Sequence, residues 1–458
     1  MKTLRTVLMI ATAAASVPFA AFAQDEASRA GSIAQDTEIK GAVIAGSGVL
    51  AISNAEVGMV KGSTAQKSIK QNTKVNGAVI SIGAYGGLSD SSVAKVEKAR
   101  ASGRIDQQAS LNGANIAVAG AVGKADATMG EIVQSNSAGS ISQRVEVKGA
   151  QVAIAGYGGI ADADIGVVRK VVAKGEIEQS VKIKGGNVAA AGWLGMSSSS
   201  IGVVENAQIN GDVAQSVEVN GVAVSVAALG AKADNLVGEI KDVRAQKVSQ
   251  STSINAATVS AAAVLGKSKT TTGVISGVNA NGEATQVTSV KSNIAIGGLL
   301  GKAESAVGSM QNVNSGGDVL QATTVQGAQT SVAALVAKSK IETGMARNVR
   351  TKGDVVQYTT VKGNNAAIAA VLASANSRTG IIENSSVSGD AAQFTTIGGN
   401  QTVVAALIAK ADNSVGIVQN SRIGGSLLQA TTIRGNNTVV AALAGESCSV
   451  IGGMGKRC

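Results

Sequence analysis

The sequence predicts an all-β fold, a parallel β-solenoid of about twelve 36-residue coils with three strands in each. Three observations carry that expectation. A glutamine returns as Gln35, Gln71, Gln107, Gln143, Gln179, Gln215, Gln250, Gln286, Gln321, Gln357, Gln393 and Gln429, always after 36 or 35 residues. Glycine stands four residues before it in ten of the twelve units, six after it in ten, and 22 or 23 after it in eleven. Around the glutamine the side chains alternate with a period of two, the signature of a strand with one face turned inward.

The first segment of each unit sets the face. Val213, Gln215, Val217 and Val219 alternate with Asp212, Ala214, Ser216, Glu218 and Asn220, so the glutamine shares the apolar side and not the charged one. Thr37, Thr73, Thr252, Thr288, Thr323, Thr359, Thr395 and Thr431 follow two residues later on that same side. Each unit holds three such strand-like segments, parted by glycine or Asn-Gly corners. An antiparallel meander with an odd number of strands would reverse every second unit. A coil of three strands returns to its starting direction, and successive coils then stack in parallel at about 4.8 Å.

Stacking accounts for the buried glutamine. Each lies under its copy one coil later and hydrogen-bonds to it, so the expectation is an internal Gln ladder with an adjoining Thr ladder. Asn206, Asn312, Asn348, Asn384 and Asn420 occupy equivalent places in the third segment and suggest a shorter corner ladder.

The ends read differently from the repeat. Residues 1–23 have Lys2 and Arg5, an apolar run and then Ala21-Phe22-Ala23, the layout of a cleavable secretory signal. The only proline, Pro18, lies there with Phe19 and Phe22. Residues 24–30 are a short N-terminal segment, 31–446 the repeat domain and 447–458 a C-terminal cap. Cys448 and Cys458 are the only cysteines, and in an exported chain they are expected to pair as a clip on that cap. No stretch after residue 23 offers about 20 strongly apolar residues to span a membrane. The formal charge of +10, lowered by two on cleavage, is a mild bias toward anionic surfaces.

Catalytic signals are missing. With no histidine, neither a Ser-His or Cys-His triad nor a His-based metal site is available. Asp126, Asp162, Asp234 and Asp412 follow the repeat and read as solvated turns, so no carboxylate pair stands out. No catalytic, cofactor or metal residue is assigned.

Two surface features are candidates for binding. The second segment, as in Val222–Leu229, Thr402–Leu407 and Thr438–Leu443, has no charge on either face. Stacked twelve high, its outward residues form a strip larger than a monomer normally leaves in water, which favours cover by a second copy. A large residue also recurs 14 positions after the glutamine, as Tyr85, Tyr157, Trp193, Leu229, Val264, Leu335, Val371, Leu407 and Leu443. These residues read either as corner plugs of the core or, at Tyr85, Tyr157 and Trp193, as a row stacking on sugar rings.

At the level of architecture the units resemble the β-solenoid rods of exported bacterial surface proteins, such as adhesins and fibre subunits. The resemblance implies a non-enzymatic structural protein that self-associates into a surface fibre or extracellular matrix, located in the periplasm, on the cell surface or outside the cell. The competing expectation is a monomeric adhesin or polysaccharide-binding rod. No specific nucleic-acid partner and no cofactor are implied.

Overall fold

In the computed structural model the described residues are 6–8 and 29–455, so most of the expected signal segment lies outside them, as does Cys458. The described chain is all-β. Its strands stack in parallel into a β-solenoid of about twelve turns, with three sheets running through the turns. The chain divides into two compact units: residues to Asn220 with Val243–Ala245, and Gly221–Asp242 with the chain from Gln246 on.

One coil of the second unit shows the plan. Its strands are Val355–Val361, Asn365–Ala369 and Ser374–Glu383, closed by the two-residue Ser386–Val387. Each lies in register on its copy in the next coil, with Gln357 opposite Gln393 and Thr359 opposite Thr395. The first unit repeats the plan in Ile141–Val147, Gln151–Ala155, Ile160–Arg169 and Val172–Ala173. The corner glycine six residues after the glutamine separates first from second strand. Where it is replaced, by Ala256 and Ser292, the two strands run on as single strands, Val248–Ala262 and Ala284–Gly297.

The glutamines sit inside and hydrogen-bond along the stack. In the first unit Gln71, Gln107, Gln143, Gln179 and Gln215 each donate Nε2 to Oε1 of the glutamine one coil earlier, at 3.1, 2.8, 2.8, 2.8 and 2.8 Å. In the second unit Gln286, Gln321, Gln357, Gln393 and Gln429 do the same, beginning on Gln250, at 3.0, 2.9, 2.7, 2.8 and 3.0 Å. The sense of donation never reverses in these bonds.

A second duty of this amide is invisible in the period-two pattern. The third strand is kinked by a residue in the left-handed region, such as Gly130 at φ 64° or Gly344 at φ 60°. The kink breaks the alternation and leaves carbonyls to be satisfied inside. Gln143 Nε2 donates to Gly130 O at 2.9 Å, and Gln357 Nε2 to Gly344 O at 2.9 Å and Ile381 O at 3.4 Å. The side chain thus ties first strand to third across the core as well as coil to coil.

The threonines form a column but not a hydrogen-bonded ladder, which corrects the expectation. The Oγ1 atoms of Thr73, Thr252, Thr288, Thr323, Thr359, Thr395 and Thr431 are buried without a hydrogen-bond partner. Val145, Val181 and Val217 occupy the same place in the first unit, so the position selects a β-branched shape. Its reason is the kink glycine. A Cβ on Gly344 would overlap Thr359 Oγ1, and one on Gly130 would overlap Val145 Cγ2. The glycine hydrogen in that direction faces the hydroxyl instead, a weak C–H···O contact.

One coil makes the same fit from the other side. Ala94, at φ 55°, is the only non-glycine at the kink position, and the residue 15 places on, Ala109, is the only small one in the threonine column. Added bulk on one partner is matched by lost bulk on the other.

The interior narrows toward the second corner, between second and third strands. In the first unit that wedge is lined by Ala117, Ala119, Ala125, Ala127, Ala153, Ala155, Ala161 and Ala163, and in the second by a like cluster including Ala367, Ala369, Ala375 and Ala405. Serine replaces alanine there in facing pairs, Ser81 with Ser89 at 3.0 Å, Ser260 with Ser268 at 2.9 Å and Ser331 with Ser339 at 2.8 Å. The bulky apolar residues, such as Ile105, Leu111, Met129, Ile132 and Ile141, fill the wide end.

Two stability outcomes are expected. Gly344→Ala should destabilise the protein by roughly 1–3 kcal/mol through overpacking, and Thr359→Ala added to it should recover most of the loss, as the Ala94 and Ala109 coil does; denaturant unfolding of the four-member cycle measures the coupling. Gln357→Leu strands Gly344 O and Gln321 Oε1 without this donor, and thermodynamic unfolding should show a loss of at least about 2 kcal/mol.

Candidate functional site

The narrow wedge decides what happens at its corner. Alanine walls leave no room for a large side chain, so the recurring residue 14 places after the glutamine cannot plug the core. Tyr85, Tyr157, Trp193, Leu335, Leu407 and Leu443 are exposed and Leu229, Val264 and Val371 half-buried, which corrects the core-plug reading. The following residue is exposed too, as Leu50, Val122, Leu194, Leu265, Leu300, Val336, Leu372 and Ile408, each with φ between 49° and 55°. Branched and bulky residues rarely adopt that backbone. The corner is an apolar ridge of one or two large side chains per coil in most coils of each unit.

The aromatic row is partly continuous. Tyr157 and Trp193, on neighbouring coils, meet edge to face with ring centroids 5.5 Å apart, whereas Ala121 separates Tyr85 from Tyr157. Beside the ridge lies the outward face of the second strand. Ile44, Ile82, Ile154, Val226 and Ile296 are exposed on it, and the inward partners are small.

Charge gathers on the outer side of the kinked third strand. Asp126, Asp162, Asp234 and Asp412 lie within the strands Lys124–Val133, Ile160–Arg169, Lys232–Lys241 and Lys410–Gln419 and not in solvated turns. Asp90, Asp126 and Asp162 are half-buried on that outer side. In the first unit Asp90, Asp126 and Asp162 stack in register on successive coils. Lys124 reaches Asp126 at 2.6 Å, Lys95 reaches Glu131 at 3.2 Å and Arg169 reaches Glu205 at 3.0 Å. Burial, and then the Asp126 charge, push the Asp162 carboxyl up to about 6. Burial pushes Asp164 to about 6 against the pull of Arg169.

The second unit carries the opposite balance in its furrow. Glu342 contacts Lys340 at 2.7 Å, Arg347 at 3.0 Å and Arg378 at 3.6 Å, and Arg378 also reaches Glu383 at 2.9 Å. Burial works to raise the Glu342 carboxyl, and these three cations outweigh it and hold it below its ordinary value. Beside this network is a cavity of about 170 Å³ lined by Lys340, Asn376, Arg378, Asp412, Ser414 and Gln419 among others.

Of the remaining expectations, Asn206, Asn312, Asn348, Asn384 and Asn420 all stand at a left-handed corner, φ 49–54°, which asparagine tolerates better than most residues. Asn348 Nδ2 donates to Asn312 Oδ1 at 2.8 Å. Cys448 lies in the strand Glu446–Ile451, and its expected partner Cys458 is outside the described residues.

Sequence reasoning missed a second buried polar column, Asn115, Gln151 and Asn187 in the first unit and Thr258, Asn293, Gln329, Asn365 and Gln401 in the second. It bonds across the wedge, as Ser377 Oγ to Asn365 Oδ1 at 2.6 Å, and along the stack, as Asn365 Nδ2 to Gln401 Oε1 at 3.2 Å. The signal was present eight residues after the ladder glutamine in most units. Its mixed residue types hid it.

Among the described residues no group of three or more His, Cys, Asp or Glu is arranged to hold a metal ion, and no helix is long and apolar enough to cross a membrane. Comparisons with protein-family models, with curated proteins and with solved structures return no match.

The carboxylates of the first unit give a pH dependence of unusual sign. A folded-state value near 6, above the ordinary Asp value of about 3.9, means that the fold favours the protonated acid. Stability of that unit should therefore rise as pH falls through 6 toward 4, by up to about 3 kcal/mol for each of Asp162 and Asp164. The chain has no histidine to obscure it. In thermal melts at pH 5 and pH 7.5, Asp162→Asn with Asp164→Asn should raise Tm at the higher pH and flatten the dependence. A lowered Tm at pH 7.5 would refute this.

Proposed function

We propose that the chain is an exported, non-enzymatic structural protein whose copies join end to end into a surface fibre or matrix, with the apolar ridge and the neighbouring second-strand face supplying lateral contacts. The observation that supports it is the state of the terminal coils. Ala391, Gln393, Thr395 and Ile397 are at most 1% exposed, while their copies in the last coil, Leu427, Gln429, Thr431 and Ile433, are only half-buried, and Val439 is 45% exposed where Val403 is 0%. Among the described residues nothing covers that interior surface. The first coil presents the matching set Ile33, Gln35, Thr37 and Ile39, also half-buried.

The ladder gives the joint a direction. Because each later glutamine donates to the earlier one, Gln429 offers Oε1 outward at one end and Gln35 offers Nε2 at the other. A second copy placed with Gln35 over Gln429 continues the pattern and pairs strand edges that otherwise invite association. The short strand Thr6–Leu8 lies parallel on Ile33–Ile39, and cleavage after Ala23 removes it from that edge.

A second reading has support of its own. The exposed Tyr157 and Trp193 pair, with Tyr85 beyond it, suits a monomeric adhesin that stacks on polysaccharide.

Electron microscopy of the chain lacking residues 1–23 tests the proposal. Uniform filaments are expected, and Val439→Lys, which sets a charge on the open end, should give single folded particles with an unchanged circular dichroism spectrum. Wild-type protein that stays monodisperse at high concentration, or filaments undiminished by the substitution, would count against end-to-end assembly.

A further inference from the structure

The outward face of the first strand changes character along the chain. In the first unit it is charged, with Asp36 and Glu38, Lys70 and Lys74, Arg144 and Glu146, and Glu178 and Lys182 on four of its coils. In the last four coils it carries Leu320, Ala322 and Thr324, then Val356, Tyr358 and Thr360, then Ala392, Phe394 and Thr396, then Leu428, Ala430 and Thr432. No residue of these twelve is charged. Charge returns only at the rims, in Asp318, Asp354 and Asp390 on one side and Lys362 and Arg434 on the other.

Strand register turns this composition into a surface. Tyr358 lies opposite Phe394, and their rings stack with centroids 5.0 Å apart and an interplanar angle of 10°. The flanking residues in the same column are Ala322 and Ala430, so the outer face of each ring borders a small side chain. Thr324, Thr360, Thr396 and Thr432 form a row of hydroxyls two residues away on the same face. The rim is fixed, since Asp318 Oδ1 accepts from Asp354 N at 2.9 Å and Asp354 Oδ1 from Asp390 N at 2.7 Å.

We propose that this face binds a neutral polysaccharide, with sugar rings laid against Tyr358 and Phe394 and their hydroxyls bonded to the threonine row. The chemistry selects that partner on three counts. Aromatic faces beside evenly spaced hydroxyls suit a ligand that alternates C–H faces with hydroxyl edges. Nucleic acid also stacks on aromatic rings, but needs cations along its backbone, and the face has none. A second copy of the chain is disfavoured by size: four coils at about 4.8 Å by seven residues at about 3.3 Å make roughly 450 Å², against about 800 Å² per partner in a standard protein interface. An extended glycan chain needs only a footprint of this order. The site is distinct from Tyr85, Tyr157 and Trp193, which lie on the second corner of the first unit, and it does not depend on fibre assembly.

Retention of the chain lacking residues 1–23 on insoluble cellulose and chitin, compared with alginate and heparin resins, tests the assignment. Binding to at least one neutral polymer is expected, weakened about tenfold or more by Tyr358→Ala with Phe394→Ala. Lys70→Ala with Lys74→Ala, on the charged first-strand face of the first unit, should leave that binding unchanged, and thermal melts confirm that both double variants fold. The proposal is overturned if neither neutral polymer retains the protein, or if the Tyr358 and Phe394 variant binds like wild type. Loss of filaments in that variant with glycan retention intact would instead assign the face to a second copy.

Discussion

The structure depends on one side-chain amide used in two directions. A kinked third strand cannot satisfy all of its carbonyls within its own sheet, and a buried carbonyl without a donor costs about as much as a typical point mutation. The ladder glutamine reaches across the core to that carbonyl and also to the glutamine of the preceding coil. Removing the kink would remove the need for the amide. Keeping the kink fixes both the glycine and the glutamine, 13 residues apart, in almost every coil.

The repeat itself was legible because stacking makes every coil the environment of the next. A residue that works inside one coil works inside all, so Gln357 could be placed against Gln321 and Gln393 from spacing alone. Strand count, parallel sense and the inward face followed from the same periodicity. What escaped were features that depend on the shape of the cross-section. Threonine seemed a second ladder because its column is inward and polar, yet the neighbour that matters is a glycine on another strand, toward which valine serves as well. Trp193 and Leu407 seemed fit to plug a core because nothing in the sequence shows that two alanine walls converge behind them.

The candidate surfaces were legible in a different measure. The uncharged second segment and the aromatic corner row stood out as composition. The Tyr358 and Phe394 pair did not, although both follow the ladder glutamine directly in consecutive units, because one outward ring per strand is unremarkable until register sets two side by side. Likewise the aspartates of the third strand resembled turn residues. Strand register stacks them on a half-buried face, and burial there raises the proton affinity of Asp90, Asp162 and Asp412.

The matched pair Ala94 and Ala109 bears on how such a chain changes in length. Gene duplication or slippage adds or deletes a coil wherever two copies recombine, and most breakpoints in a uniform repeat are sterically neutral. A breakpoint between those two positions would join a kink alanine to a neighbour's threonine or valine and jam the core. The chain therefore has permitted and forbidden seams. Coil number can drift freely only through crossovers that carry the 15-residue span whole.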